Sequence, residues 1–340
     1  MRRPYLLSAI TGLLLLAPLL FLASSGVVVQ ASQPPQASAR LFKNTIVSTL
    51  LATKGCGKAS PIPAGTSANE ALRSGGLVRV YRLHVPRGYL ATRRTPLILN
   101  FHGHGSAAWK EEALTGFSAL ADQEGFLVVY PQGMVGPDGQ TGWATGPRKD
   151  PTVNDLGFVS DLITHLQTLF CVDPQHIYAT GFSNGGAMTA KLACMMSERI
   201  AAFASVSGSY FPLLSGCHPN RPVPILEIHG TADTVVPYAG SHALDLPAVA
   251  SWLSGWAARD GCSSQPQVFF QQDDVTGERW ANCQGGAMVV HYRVTGGQHA
   301  WPGALAASNT TQHFNATDAI WSFFRSCALP SDGSILYTKQ

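Results

Sequence analysis

Ile177-Tyr-Ala-Thr-Gly-Phe-Ser-Asn-Gly-Gly186 is the stretch on which the fold of this chain turns. Residues 176–180 are β-rich, Gly181-Phe-Ser-Asn-Gly185 is a tight turn, and residues 184–197 have the small-residue composition of a packed helix. A strand, a sharp turn and a helix in that order lift the central hydroxyl, here Ser183, above the rim of a sheet. Side chains at the flanking positions would collide with strand and helix, so Gly181 and Gly185 suit the turn. The helix N-terminus beneath the hydroxyl favours negative charge. The plain alternative is an ordinary glycine-rich turn between a strand and a helix.

The rest of the chain supports the first reading. Upstream, residues 76–85 alternate as a half-buried strand does. Pro96-Leu-Ile-Leu-Asn-Phe101 is a continuous apolar run entering His102-Gly-His-Gly105, a buried strand that opens into a tight loop. Residues 111–124 are expected to form one helix and residues 126–130 the next strand. Residues 134–153 form a Gly-, Pro- and Asp-rich loop carrying Trp143. Asn154 or Asp155 then caps a helix whose apolar positions are Phe158, Leu162, Leu166 and Phe170. Downstream, residues 201–207, 223–229 and 287–294 read as strands, and residues 246–260 and 314–327 as helices. Residues 262–286 are polar and irregular, with room for a hairpin. Strands that alternate with helices and are apolar on both faces mean a mostly parallel central sheet covered on both sides. Ligands of such sheets bind beyond the carboxyl ends of the strands.

With 340 residues and only 13% of them charged, the chain can bury one large core. The net charge is +3, and no Lys/Arg stripe interleaves with aromatics, which excludes a nucleic-acid partner. Arg2 and Arg3 precede an apolar run over residues 6–23 and small-residue cleavage sites at Val29-Gln-Ala31 or Ala37-Ser-Ala39. We read residues 1–31 as a signal peptide, 32–53 as an arm or linker, 54–328 as the folded domain and 329–340 as a tail. A membrane anchor is the alternative, but Pro18 and the Ser24-Ser-Gly26 break favour cleavage. The expected location is therefore extracellular, with no membrane attachment after cleavage. Secretion makes the seven cysteines disulfide partners. Their spacing suggests Cys194–Cys217, Cys262–Cys283 and a long-range Cys56–Cys171, with Cys327 left over; spacing alone does not fix connectivity. Asn309-Thr-Thr311 and Asn315-Ala-Thr317 are glycosylation acceptors.

A serine hydroxyl needs a base, and the base an orienting acid. Where a nucleophile sits on an elbow of this α/β-hydrolase type, the acid and then the base follow it along the chain, on loops after strands. Asp233, on the loop opened by Gly230, and His299, on the glycine-rich loop after the last strand, meet those conditions. His229 ends a strand and reads as a core histidine, while His291 and His313 read as structural or surface residues. Asp273 and Asp274 are weaker acids for this role. The backbone N–H groups of Asn184 and His104 are the candidate oxyanion donors. His102 and His104 at alternate positions allow a metal reading, but no third ligand is evident and no CxxC is present, so neither metal nor cofactor is expected.

With these residues in place the chain resembles the secreted fungal feruloyl esterases of the type C group in the first carbohydrate esterase family, on the α/β-hydrolase fold. The likeness covers most of residues 54–327. It is carried by Gly55-Cys-Gly-Lys58, Phe101-His-Gly103, Tyr130-Pro-Gln-Gly133, Gly181-Phe-Ser-Asn-Gly-Gly186, Leu192-Ala-Cys194, His229-Gly-Thr-Ala-Asp233, Trp256-Ala-Ala-Arg-Asp-Gly-Cys262, His299-Ala-Trp-Pro302 and Phe314-Asn-Ala-Thr317. The family's nucleophile, acid and base fall on Ser183, Asp233 and His299. Gln298 departs from the glycine that often precedes this histidine. Related members include acetylxylan esterases and polyhydroxybutyrate depolymerases. The resemblance implies a monomeric esterase acting on ferulate esterified to plant cell-wall polysaccharide, feruloylated arabinoxylan in particular. Trp143, Tyr210 and Trp301 are the aromatic residues expected to flank the phenolic ring.

Overall fold

The computed structural model describes residues 54–146, 153–213, 216–304 and 310–330. The leader and arm read over residues 1–53, and the tail beyond residue 330, lie outside the described residues.

A hairpin opens the domain, with β1 (Thr66–Ser74) antiparallel to β2 (Leu77–Val85). Next come β3 (Thr95–Phe101), α1 (Ala108–Thr115), α2 (Phe117–Glu124) and β4 (Leu127–Pro131). The short pair β5 (Met134–Val135) and β6 (Thr141–Gly142) stands apart as a small ribbon. After it follow α3 (Asp155–Leu169), β7 (Val172–Phe182), α4 (Asn184–Met195), β8 (Ala202–Val206) and β9 (Ile225–Gly230). The chain continues through α5 (Val249–Arg259), β10 (Gln267–Gln272), β11 (Val275–Trp280), β12 (Val289–Val294) and α6 (Ala316–Phe324).

Ten strands form one sheet in the order β1-β2-β4-β3-β7-β8-β9-β12-β11-β10. The six central strands, β4 to β12 in that order, run parallel, and antiparallel pairs flank them. Neighbouring residues of the central strands feed opposite layers, because side chains alternate across a pleated strand. Leu97, Leu99 and Phe101 of β3 pack in one core with Phe158 and Leu162 of α3, Leu192 of α4 and Trp256 of α5. Ile98 packs in the other core with Phe117 and Ala121 of α2 and with Ile320 and Phe324 of α6. Both layers exclude water, so these strands are mostly apolar on both faces, with a few buried polar residues such as Asn100, Thr180 and Glu227 among them.

Two local expectations change. The helix expected over residues 111–124 is two helices, because Gly116 between them takes φ 68° and caps the first. The edge strand β1 carried no sequence signal: it is mostly exposed, so no apolar alternation marks it. The polar stretch after Cys262 contains a hairpin, with Asp273 at φ 49° in its turn. Three disulfides staple the domain: Cys56–Cys171, Cys194–Cys217 and Cys262–Cys283. Cys327 is a buried free thiol.

Candidate active site

Ser183 stands between the last residue of β7 and the first of α4 with φ 56° and ψ −117°. A non-glycine residue in this region costs about 1–3 kcal/mol and persists only where its surroundings impose it. Here they do. The Ser183 N–H donates to the carbonyl of Val206 at 2.9 Å, and the Ala187 N–H donates to the carbonyl of Ser183 at 3.0 Å. Helix and strand approach so closely that a methyl group on Gly185 would lie 1.9 Å from the Phe101 carbonyl oxygen. One on Gly181 would lie 2.6 Å from the Gly185 carbonyl carbon. Asn184 begins the helix, where backbone N–H groups have no intrahelical acceptor.

The loop after β3 forms the second wall. A methyl group on Gly103 would lie 3.4 Å from Ser183 Cβ, so this loop runs against the elbow. His102 is buried and fixes the loop's course. Its Nδ1–H donates to the Gly103 carbonyl at 2.7 Å, and its Nε2 accepts from the Gly133 N–H at 2.9 Å. Those two bonds require the neutral ring, and burial, the largest influence, lowers its pKa in the same sense. With both ring nitrogens engaged, His102 has no lone pair for a metal. His104 is half exposed, its Nε2 3.1 Å from Asp138.

Trp143 locks loop and elbow together. Its indole N–H donates to the His102 carbonyl at 2.9 Å, and its backbone N–H to Asn184 Oδ1 at 2.7 Å. The Asn184 amide donates in turn to Thr145 Oγ1 at 2.8 Å. Ala144 donates to Asp155 Oδ2 at 2.8 Å, and Arg79 holds the other oxygen of that carboxylate at 2.8 Å in a buried pair.

Asp233 follows β9 on a turn and is 4% exposed. Its Oδ1 accepts from the N–H groups of Val235 and Val236 at 2.9 and 2.8 Å. Its Oδ2 lies 2.7 Å from Nδ1 of His299, on the loop after β12. Burial by itself would raise the carboxyl, but hydrogen bonds from His229 and His299 hold it far below the usual carboxylate range. An ionised acid of this kind orients the imidazole and fixes its tautomer. The His299 ring packs on that of Phe182, centroids 4.8 Å apart, next to Ser183 in the chain.

The elbow opens onto a cleft of about 540 Å³. Ser183, Asn184, His104 and Trp143 line it together with Phe211, Val235, Leu244 and Leu246. Of the three aromatics expected around a phenolic ring, Trp143 lies there. Tyr210 does not: it stacks on Trp252 with centroids 3.8 Å apart and spends its hydroxyl on Ser205 and Glu227. Trp301 is also a core residue, donating to Thr317 Oγ1 at 3.0 Å and packing edge-on against Phe117. Closeness to His299 in the chain says nothing about which way the indole points. Sequence reasoning missed Phe211, Leu244 and Leu246, which lie in irregular segments without periodicity, Leu244 at the end of a single 3-10 turn. It also missed the side-chain role of Asn184, which its place beside Ser183 could have suggested.

The family described as Phospholipase/Carboxylesterase matches residues 146–252. Feruloyl esterase B of Piromyces equi is 34% identical over 227 residues, which is 63% of this chain and 41% of that protein. This chain thus spans less than half the length of that relative. The protein "Putative esterase NocK" of Nocardia uniformis subsp. tsuyamanensis is 31% identical over 268 residues, covering 72% of this chain and 76% of its own. Among solved structures, an acetyl xylan esterase from Aspergillus awamori matches with a TM-score of 0.54 at 14% identity, over 76% of this chain and 99% of that one, a likeness of fold. By sequence over most of its described length and by the order of its strands, this chain belongs to the family of α/β-hydrolase-fold esterases that contains the feruloyl esterases.

Proposed function

We propose that this chain is a serine carboxylic-ester hydrolase that releases ferulate and related hydroxycinnamates from feruloylated plant cell-wall polysaccharide. The observation that carries the reading is the 2.7 Å contact between Asp233 and His299, beside a strained elbow that presents Ser183 to a cleft. In this mechanism the Ser183 hydroxyl attacks the ester carbonyl carbon while His299 Nε2 takes its proton. The tetrahedral oxyanion accepts hydrogen bonds from the backbone N–H groups of Asn184 and His104. Collapse of the intermediate expels the sugar alkoxide, which receives the proton from His299. Water then attacks the acyl-enzyme by the same route and frees the acid. No cofactor enters these steps.

The cleft supports an aromatic acyl group. Its volume falls in the range of roughly 300–1,000 Å³ typical of small-molecule sites, more than an acetyl group needs. Phe211, Val235, Leu244 and Leu246 supply apolar wall. Three disulfides support an oxidising compartment, in keeping with a cleaved leader over residues 1–31, an arm over 32–53 and a secreted, monomeric domain over 54–328. No helix among the described residues is long and apolar enough to cross a membrane. Rates on methyl ferulate, acetylated xylan and poly(3-hydroxybutyrate) test the assignment. Ferulate release should dominate; rapid acetate release with no ferulate release would make the chain an acetylxylan esterase instead.

A further inference from the structure

Behind Asp233 lies a second set of ionisable groups outside the steps just described, buried except for the half-buried Tyr238. Glu227 on β9 has no exposed surface. Its Oε1 lies 2.9 Å from His229 Nδ1 and 3.1 Å from the Tyr210 hydroxyl; its Oε2 lies 2.7 Å from His291 Nδ1. His291, on neighbouring β12, has its Nε2 2.8 Å from the Tyr238 hydroxyl. His229 Nε2 lies 2.9 Å from the Val236 carbonyl oxygen and 3.2 Å from Asp233 Oδ2. That Asp233 oxygen is the one His299 also approaches.

Proton accounting assigns the charges. A carbonyl oxygen only accepts, so the Val236 contact requires a proton on His229 Nε2. The other nitrogen, Nδ1, faces a carboxylate oxygen, which accepts as well. Glu227 Oε1 faces two donors, His229 Nδ1 and the Tyr210 hydroxyl, and Oε2 lies within ion-pair distance of His291, whose Nδ1 is aimed at the Glu227 backbone carbonyl at 3.2 Å, so the carboxyl finds no acceptor for a proton of its own and is ionised. His229 is therefore an imidazolium between two carboxylates. Its pKa runs the same way: burial, the largest influence, would push it down, but the Glu227 charge together with the hydrogen bonds to Asp233, Glu227 and the Val236 carbonyl outweighs burial and holds it well above the ordinary imidazole value. Glu227 is held correspondingly low against its own burial.

We propose that His229, anchored by Glu227, is a positioning residue that grips the Asp233 oxygen shared with His299 and sets how strongly that carboxylate supports a charged His299. The inference rests on Ser183, Asp233 and His299 acting as proposed above. The charged and titratable groups around His229 are Glu227 on its own strand, Asp233 and Tyr238 on the following loop, His291 on β12, Tyr210 after β8, and His299 through Asp233. Removing the positive charge at residue 229 leaves the Asp233 charge wholly to His299. A charged His299 is then favoured and the base is lost at higher pH.

Profiles of kcat/KM against pH for wild type, His229→Gln and Glu227→Gln test this. In His229→Gln the acid limb should move to higher pH by up to about 1 unit, the low end of what an adjacent charge does because the effect passes through Asp233, with a fall in kcat. A lower Tm with an unmoved acid limb would reduce His229 to a structural residue and overturn the proposal. Should the variants fail to fold, the ring nitrogens of 15N-labelled wild type decide. Both nitrogens of His229 should carry protons at pH 8, and a neutral single-N–H ring would overturn the assignment. This signature is independent of catalysis, so it stands or falls separately from the identity of the nucleophile.

Discussion

Ser183 keeps its unfavourable backbone because strand, helix and the neighbouring β8 hold it from three sides, and the same crowding demands Gly181 and Gly185. That demand was legible in the sequence, since strain at a turn leaves a glycine signature. The meeting of Asp233 with His299 was legible for a related reason: each lies on a loop that follows a strand of the central sheet. Tyr210 and Trp301 were misread because chain position does not report side-chain direction, and both turn into the core. Glu111 shows what burial does to a single carboxyl. It is 1% exposed, and desolvation pushes its pKa well above the ordinary value of 4.5. The folded chain thus keeps a proton that the unfolded chain releases. The stability this contributes is complete below about pH 4.5 and is lost as pH rises toward the folded value. Glu111→Gln has no proton to lose. Its Tm should match wild type near pH 4 and exceed it at pH 8; a Tm difference constant with pH would refute a neutral Glu111.

At the level of elements, strong periodicity was read correctly and its absence was not. The helix after the 134–153 loop was expected to be capped by Asn154 or Asp155, and Asn154 accepts from the Gly157 N–H at 2.9 Å. One helix became two at Gly116, where a positive φ serves the turn between them. β1 escaped notice because an exposed edge strand needs no apolar face. α6 gives a test of a cap. Asn315 Oδ1 accepts from the N–H groups of Thr317 and Asp318 at 2.8 and 3.2 Å, and Thr317 Oγ1 donates to the Thr115 carbonyl at the end of α1. Asn315→Ala, in chain made without glycosylation, should lose about 1 kcal/mol of stability in urea unfolding with esterase activity unchanged. A loss near zero would show that the Oδ1 bonds do not cap the helix.

Across the whole molecule, parallel strands bring the ends of β7, β9 and β12 to one rim, although residues 183, 233 and 299 are far apart in the chain. The doubly wound architecture followed from apolar strands alternating with helices. The buried cluster of Glu227, His229 and His291, closed by the half-buried Tyr238, could not be read so, because β9 and β12 are neighbours only through the sheet order. The cleft walls gather from loops whose packing has no local code. The mechanism proposed above unites these layers: a loop histidine, tied to a buried acid, would activate the elbow serine. Peptide mass spectrometry after treatment with a fluorophosphonate ester tests it most directly. We predict one adduct, on Ser183, formed rapidly in wild type and slowed at least about 1,000-fold in His299→Gln, the scale seen when a catalytic base is removed. An adduct on another residue, or labelling of Ser183 at an undiminished rate in that variant, would contradict the account.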